Sequence, residues 1–156
     1  MIEAFDEDED VNIVSSNEII PETLEKEVDE FIEKNAFNAI ESYELNEDGT
    51  IGTTFTFNEG SLTGPIKTYH PKGFVVEGSG NALWGMQFIW PIKAQYKIVY
   101  LDQDYQNTII ARDDRDYVWI MSRQKKINQD TLKTLVKKIE DDGYDIKKIR
   151  WIEHSN

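Results

Sequence analysis

The sequence predicts a mainly β protein of short antiparallel strands, arranged as a sandwich or a barrel, with one α-helix near the C-terminus. Between residues 37 and 122, apolar and polar residues alternate in short runs separated by turn signals, which is typical of half-buried strands. Near the C-terminus the apolar period becomes that of a helix. The chain has 156 residues, 39% hydrophobic and 12% aromatic, so we expect one folded domain with a sizeable core.

The first 33 residues are strongly acidic. They contain 13 Asp or Glu against the single Lys26, whereas the rest of the chain is nearly neutral. Residues 1–20, with the acidic run at 6–10, predict a solvated and disordered leader. Residues 21–33 begin with Pro21 and predict a short amphipathic helix. Its apolar stripe consists of Leu24, Val28, Phe31 and Ile32.

The predicted barrel strands lie within residues 37–122. The first two, at 37–45 and 50–57, flank Asp48-Gly49, a dipeptide that favours a tight hairpin turn. Turn-forming residues separate the later runs. We expect further strands at 66–70, 73–78, 82–89, 95–101, 108–112 and 117–122. Many short strands at regular spacing indicate a sandwich or a barrel.

The second predicted helix covers residues 129–142. Asn128 can cap its N-terminus and Gly143 can end it. The apolar stripe consists of Leu132, Leu135, Val136 and Ile139. A stripe this strong needs a partner surface, which we expect to be the outside of the β structure. Residues 146–152 then predict a last short strand.

Charge and composition exclude several classes of function. Nucleic acid is a poor partner, because a chain of net charge −13 lacks the clustered basic surface that phosphates require. No apolar run approaches the roughly 18 residues of a membrane span. The chain contains no cysteine, and its N-terminus lacks the pattern of a secretion signal, so the sequence as written predicts a cytoplasmic protein. Processing or trimming of the N-terminus would instead allow the periplasm or the outer-membrane periphery.

The residues that could act in catalysis do not form a catalytic pattern in the sequence, which predicts that the protein is not an enzyme. The two histidines, His70 and His154, are far apart in the sequence and neither suits a triad or a three-ligand metal site. Gly78-Ser79-Gly80 is better interpreted as a turn than as a phosphate loop, because no helix pattern follows it. The residues 113–116 form an acidic cluster between two strands, where a charged loop tip is the usual outcome. We therefore predict no cofactor and no metal site.

Large apolar residues at alternate strand positions form the candidate binding surface. In a sandwich they would be an ordinary core, whereas a barrel of about eight strands can hold one small ligand inside. The candidate ligand-binding residues are Ile40, Ser42, Phe55, Phe57, Trp84, Met86, Phe88, Tyr96, Ile98, Tyr100, Tyr117, Trp119 and Met121.

Several segments resemble the bacterial lipocalins, relatives of apolipoprotein D. The similarity covers roughly residues 31–153, and its most specific part is the run Tyr117-Val118-Trp119-Ile120-Met121-Ser122-Arg123. Residues 33–35, 81–84, 88–91, 96–105 and 148–151 also resemble the family. The resemblance implies an up-and-down barrel of eight strands with a helix packed against its side. It also implies binding of fatty acids, lysophospholipids or other small lipophiles.

The resemblance assigns roles to individual residues. Asp104 and Tyr105 would fill the second lipocalin motif, in a turn between neighbouring strands, and Arg123 the third, at the closed end of the barrel. Trp119 would point into the ligand cavity. Because side chains alternate along a strand, Tyr117 and Met121 would then share its inner face.

The first lipocalin motif, Gly-x-Trp on the opening strand, is missing. The family spacing places it at Ile20-Pro21-Glu22, and Arg123 therefore lacks the tryptophan that packs against it in the family. Three alternatives could complete the barrel: a replacement strand at residues 11–14, an edge left open, or a second copy of the chain that covers the edge as a homodimer.

Two functions follow from these features. The first is binding and transport of a small hydrophobic ligand. The alternative is a protein-interaction module with a closed, ligand-free barrel, in which residues 1–33 contact a partner.

Overall fold

The computed structural model describes residues 11–16, 36–115 and 117–156, with the backbone alone for 11–16 and Ile89. The acidic run at 6–10 and the helix predicted at 21–33 lie outside the described residues. The described strands are β1 Val11–Ser16, β2 Ala36–Leu45, β3 Ile51–Glu59, β4 Ile66–Tyr69, β5 Lys72–Val75, β6 Leu83–Ile89, β7 Ile92–Leu101, β8 Asn107–Ala111, β9 Val118–Ser122 and β10 Arg150–Trp151. The helix α1 spans Gln129–Asp141, and a 3-10 turn covers Ile146–Lys148.

The strands form one antiparallel sheet that curls back on itself. From β1 to β3 and from β5 to β9, strands next to each other in the chain are hydrogen-bonded, and β4 and β5 share β3 as their partner. β1 pairs with β2 on one side and with β9 on the other. The pairings therefore run in a closed circuit, the arrangement of an up-and-down barrel.

The strand β1 occupies the position of the first barrel strand, for which the sequence allows three alternatives. Asn12 lies opposite Ile40 of β2 and opposite Ser122 of β9. Of the three alternatives for the first strand, the structure adopts the replacement strand, extended to Ser16. The β-branched residues Val11, Ile13 and Val14 suit an extended backbone. This strand lies within residues 1–20, the segment predicted to be a disordered leader. Its pairing with β2 and β9 occupies the edge that a second copy of the chain was predicted to cover.

The helix α1 begins and ends on the residues that the sequence singles out. The Asn128 side chain accepts hydrogen bonds from the backbone N–H groups of Asp130 and Thr131, at 2.8 and 3.4 Å. Gly143 follows the helix with a φ of 96°, which a residue without Cβ adopts most easily. The last strand is shorter than the predicted 146–152, because the chain first makes the 3-10 turn. No helix among the described residues is long and apolar enough to cross a membrane.

Two apolar clusters lie on opposite faces of the sheet. The inner cluster consists of Ala36, Ala39, Tyr43, Phe55, Phe57, Trp84, Met86, Tyr96, Ile110, Met121 and Ile152. The outer cluster joins the sheet to α1 and the C-terminal segment and consists of Ile109, Ala111, Val118, Ile120, Leu135, Ile139, Tyr144 and Ile149. The neighbours Ile109 and Ile110 belong to different clusters, as the alternation of side chains in a strand requires. The apolar stripe of α1 thus packs on the outer surface of the barrel.

Candidate functional site

A row of stacked aromatic rings crosses the inner face from β6 and β7 to β9 and the residue just before β9. The ring centroids of Trp84 and Tyr96 lie 5.2 Å apart, those of Tyr96 and Trp119 6.4 Å, and those of Trp119 and Tyr117 5.3 Å. The Trp84 indole N–H donates to the carbonyl of Asn81 at 2.8 Å, so its polar group is satisfied at the strand end. These centroid spacings fall within the range of favourable aromatic pairs.

A second aromatic group lies on β3 and β4. Phe55 and Phe57 have centroids 5.4 Å apart, and Phe57 stacks on Tyr69 at 6.2 Å. The thioethers Met86 and Met121 are fully buried in the same inner cluster. Methionine adapts its shape to its neighbours and suits a binding surface for flexible apolar ligands.

A polar group interrupts this apolar surface. Glu41 is buried in β2 and hydrogen-bonded to the hydroxyl of Tyr43, and the Tyr43 hydroxyl is in turn hydrogen-bonded to that of Tyr96. Burial raises the pKa of Glu41 to about 7, against a smaller opposing effect of the Tyr43 hydrogen bond. Burial, with the nearby Glu41 charge, also holds the pKa values of Tyr43 and Tyr96 well above 10. The inner face therefore carries one acid and two neutral phenols side by side.

Most of the predicted ligand-binding residues lie together on the inner face. Phe88, Ile98 and Trp119 are partly buried and pack against the inner cluster, and Tyr117 is buried and stacked on Trp119. The others in the inner cluster are Phe55, Phe57, Trp84, Met86, Tyr96 and Met121.

The predicted residues Ile40 and Ser42 lie off the inner face, because the inner residues of β2 are Ala36, Ala39, Glu41 and Tyr43. The pairing of β2 with β3 shifts register between Phe37 and Ile40. Such a bulge changes which side chains face inward. Apolar residues are usually the ones found inside, whereas this register buries Glu41 and leaves Ile40 half-buried.

Tyr100 also lies on the other face. The pairing of β7 with β8 shifts register between Ile98 and Tyr100, and this bulge turns Tyr100 outward beside the outer cluster. There the Lys138 ammonium of α1 lies 4.7 Å from the Tyr100 ring centroid. Tyr100 also lines a charged outer cleft of about 350 Å³ beneath α1, together with Lys97, Arg112, Asp113 and Lys138.

The motif residues are joined at the turn between β7 and β8. Tyr105 has a φ of 54° within this turn, and its carbonyl accepts a hydrogen bond from Nε of Arg123 at 2.8 Å. The backbone N–H of Arg123 donates to the carbonyl of Gln106 at 2.9 Å. Asp104 lies in the same turn, where its carbonyl accepts a hydrogen bond from the Gln106 side chain at 3.2 Å. Arg123 thus has a partner in the second motif even though the chain lacks the tryptophan of the first.

The groups considered for catalysis lie apart from one another. His154 contacts the backbone carbonyl of Ala39 at 3.0 Å, whereas His70 contacts the Thr54 hydroxyl at 3.3 Å. Asp113 is exposed at a loop tip, and its hydrogen bond with Lys97 lowers its pKa. Within the described part of the chain, no three His, Asp or Glu side chains come together in a way that could hold a metal ion.

The closed antiparallel sheet, its aromatic inner face and the helix on its outer face define a small up-and-down β-barrel protein. A family model described as "Lipocalin-like domain" matches residues 26–154, and the chain belongs to this lipocalin-like family.

Known relatives agree with this assignment. Temperature-induced lipocalin-1 of Arabidopsis thaliana is 33% identical over 130 residues, which cover 76% of this chain and 67% of the relative. The outer membrane lipoprotein Blc of Escherichia coli is 25% identical over 114 residues, covering 72% of this chain and 63% of Blc. The chain thus spans about two thirds of the length of these relatives.

Solved structures show the same fold at low sequence identity. The cockroach allergen Per a 4 has a TM-score of 0.62 at 17% identity, covering 94% of this chain and 85% of the allergen. Insecticyanin from the tobacco hornworm has a TM-score of 0.67 at 11% identity, covering 95% of this chain and 78% of insecticyanin.

Proposed function

We propose that the protein binds and carries a small hydrophobic ligand, such as a fatty acid or a lysophospholipid, on the inner face of the barrel and performs no covalent chemistry. The observation that carries this proposal is the continuous row of Trp84, Tyr96, Trp119 and Tyr117. Flat aromatic surfaces and the adaptable Met86 and Met121 offer contact to an acyl chain along its length. Membership of the lipocalin-like family supports the same conclusion.

The energetics are favourable for a long alkyl tail. Burial of each methylene contributes about 0.8 kcal/mol before the costs of association are subtracted. A ten-carbon tail contributes about 8 kcal/mol on this scale, which is comparable to those costs. The head group then adds specificity.

The test uses N-phenyl-1-naphthylamine, a neutral apolar probe whose emission rises in apolar surroundings. We expect saturable binding at one site per chain and displacement by a ten-carbon alcohol. Trp119→Ala should weaken probe binding at least tenfold, whereas Trp90→Ala should leave it unchanged, because Trp90 is 82% exposed at the β6–β7 turn. Circular dichroism of both variants controls for folding. The absence of saturable binding to the wild-type protein would contradict the proposal.

A ligand-free interaction module is the second candidate. The direct stacking of the inner rings favours it, since such contacts can fill a barrel without a ligand. In that case the probe does not bind, and removal of residues 1–10, which lie before β1, changes the set of proteins that the chain captures. Unchanged probe binding in the truncated protein would count against this candidate.

The cellular compartment of the protein can be tested directly. Blc is named an outer membrane lipoprotein, whereas the sequence predicts a cytoplasmic protein. Fractionation of cells that express the natural gene decides between the two.

A further inference from the structure

Glu41 is a carboxylate on the mostly apolar inner face of the barrel. It lies directly opposite Phe55 in the β2–β3 pairing and is 6% exposed. Removal of a carboxylate from water is costly unless it is paired or hydrogen-bonded. The fold itself gains little from an acid here, since an apolar side chain at this position would pack against Phe55 without that cost.

Among the described residues, Glu41 has one side-chain hydrogen-bond partner and no cationic partner. Tyr43 donates to the carboxylate, but an ionised carboxylate offers about four acceptor positions. Among the described residues no Lys or Arg forms an ion pair with it, and the sequence of the neighbouring strand β1 contains no charged residue. Glu41 therefore keeps acceptor positions that no described side chain fills.

The aromatic rings beside Glu41 enclose the carboxylate. Tyr43 meets Trp84 edge to face at 5.8 Å between ring centroids, and Tyr43 and Tyr96 lie at 6.4 Å with a 63° interplanar angle. The faces of Tyr96 are stacked on Trp84 and Trp119, so the contact that would recognise an organic cation here is a charge-assisted hydrogen bond to the Glu41 carboxylate. This contact does not favour a carboxylate head group, which an ionised Glu41 repels.

We propose that Glu41, with Tyr43 and Tyr96, forms a head-group site inside the barrel that selects a lipophilic amine over a fatty acid of equal length. The protonated nitrogen lies on the Glu41 carboxylate, and the alkyl tail follows Trp84 and Trp119. This inference rests on the proposed binding function and names the ligand class.

The site should respond to pH. Among the described residues, the titratable groups that interact with Glu41 are the phenols of Tyr43 and Tyr96, which stay neutral. Arg112 is a cation on the aromatic row, with its guanidinium 5.6 Å from the Tyr117 ring centroid, and it does not contribute to the pKa shift of Glu41. With a Glu41 pKa of about 7, the affinity for an amine should rise about 30-fold between pH 5.5 and 8, as the ionised fraction does.

The experiment displaces N-phenyl-1-naphthylamine with decylamine, decanol and decanoate. At pH 8 we expect the amine to displace the probe at the lowest concentration and decanoate at the highest. Glu41→Gln should abolish the preference for the amine and its pH dependence, while decanol displaces the probe as before. Glu44→Gln is the matched control, because Glu44 is an exposed acid on the same strand.

The outcomes separate the two proposals. If the probe does not bind to the wild-type protein, the proposed function fails. If the probe and decanol bind but decylamine shows no advantage, or if Glu41→Gln leaves that advantage intact, the head-group site alone is refuted. Should Glu41→Gln fail to fold, the wild-type pH profile of decylamine against decanol decides, since a flat profile contradicts the inference.

Discussion

The inner and outer faces of β9 differ in chemistry although they belong to the same five residues of strand. Val118 and Ile120 face outward and pack against aliphatic residues of α1 and the C-terminal segment. Trp119 and Met121 face inward, among rings, thioethers and the Tyr43 hydroxyl. The outer face holds the chain together with aliphatic packing. The inner face also carries polar and polarisable groups, and it is the face on which we propose that the ligand binds.

The largest expected effect comes from a substitution in the outer cluster. Leu135 is 1% exposed between α1 and the sheet, and Leu135→Ala should lower the free energy of unfolding by about 2–5 kcal/mol through lost burial and a new cavity. Urea unfolding measures this loss. Lys133→Ala, an exposed change on the same helix, is the control. Probe affinity should stay unchanged while the variant is folded, and a tenfold loss of affinity would contradict the separation of the two faces.

The next effect concerns the inner face. Burial raises the pKa of Glu41 from 4.5 to about 7, so between these values the folded state holds a proton that the unfolded state has released. Stability should therefore fall as pH rises through this window, by about 3 kcal/mol for a shift of this size.

Glu41→Gln isolates this contribution, since glutamine has the shape of the acid and does not titrate. The difference in unfolding free energy between wild type and variant, measured by urea unfolding from pH 4.5 to 8, should move in favour of the variant as pH rises. A difference that is constant across this range would show that Glu41 is not buried in an apolar environment.

The smallest effect lies at the helix end. Asn128→Ala removes the acceptor for the N–H groups of Asp130 and Thr131 and should cost about 1 kcal/mol. Asn128→Asp is the control, because aspartate also caps helices. Urea unfolding measures both variants, and equal losses for alanine and aspartate would exclude a capping role.

The sequence predicted the class of fold because it depends on local pattern. The inner face of β9 followed from the resemblance that places Trp119 inside, and since no bulge interrupts the pairing of β9 with β8, Met121 lies on the same face. In β2 and β7 the bulges near Asn38 and Val99 change the phase. Apolar alternation alone does not locate these bulges, so the predicted residues Ile40, Ser42 and Tyr100 lie off the inner face.

Closure of the barrel could not be decided from local pattern. β1 pairs with β9 about a hundred residues later in the chain, and a short run such as 11–16 carries too little signal to choose among distant partners. Glu41 was missed for a different reason. Burial of an acid contradicts the rule on which core prediction rests, so such a position is found only once the strands are paired.

Methyl NMR tests the central claim most directly, because the two described methionines, Met86 and Met121, both lie on the inner face. Labelled methyl groups of methionine, leucine and isoleucine are followed as N-phenyl-1-naphthylamine is added. We predict that the Met86 and Met121 signals shift saturably, while those of Leu135 and Ile139 do not. Shifts at Leu135 and Ile139 with unmoved Met86 and Met121 signals would place the ligand outside the barrel and contradict the account.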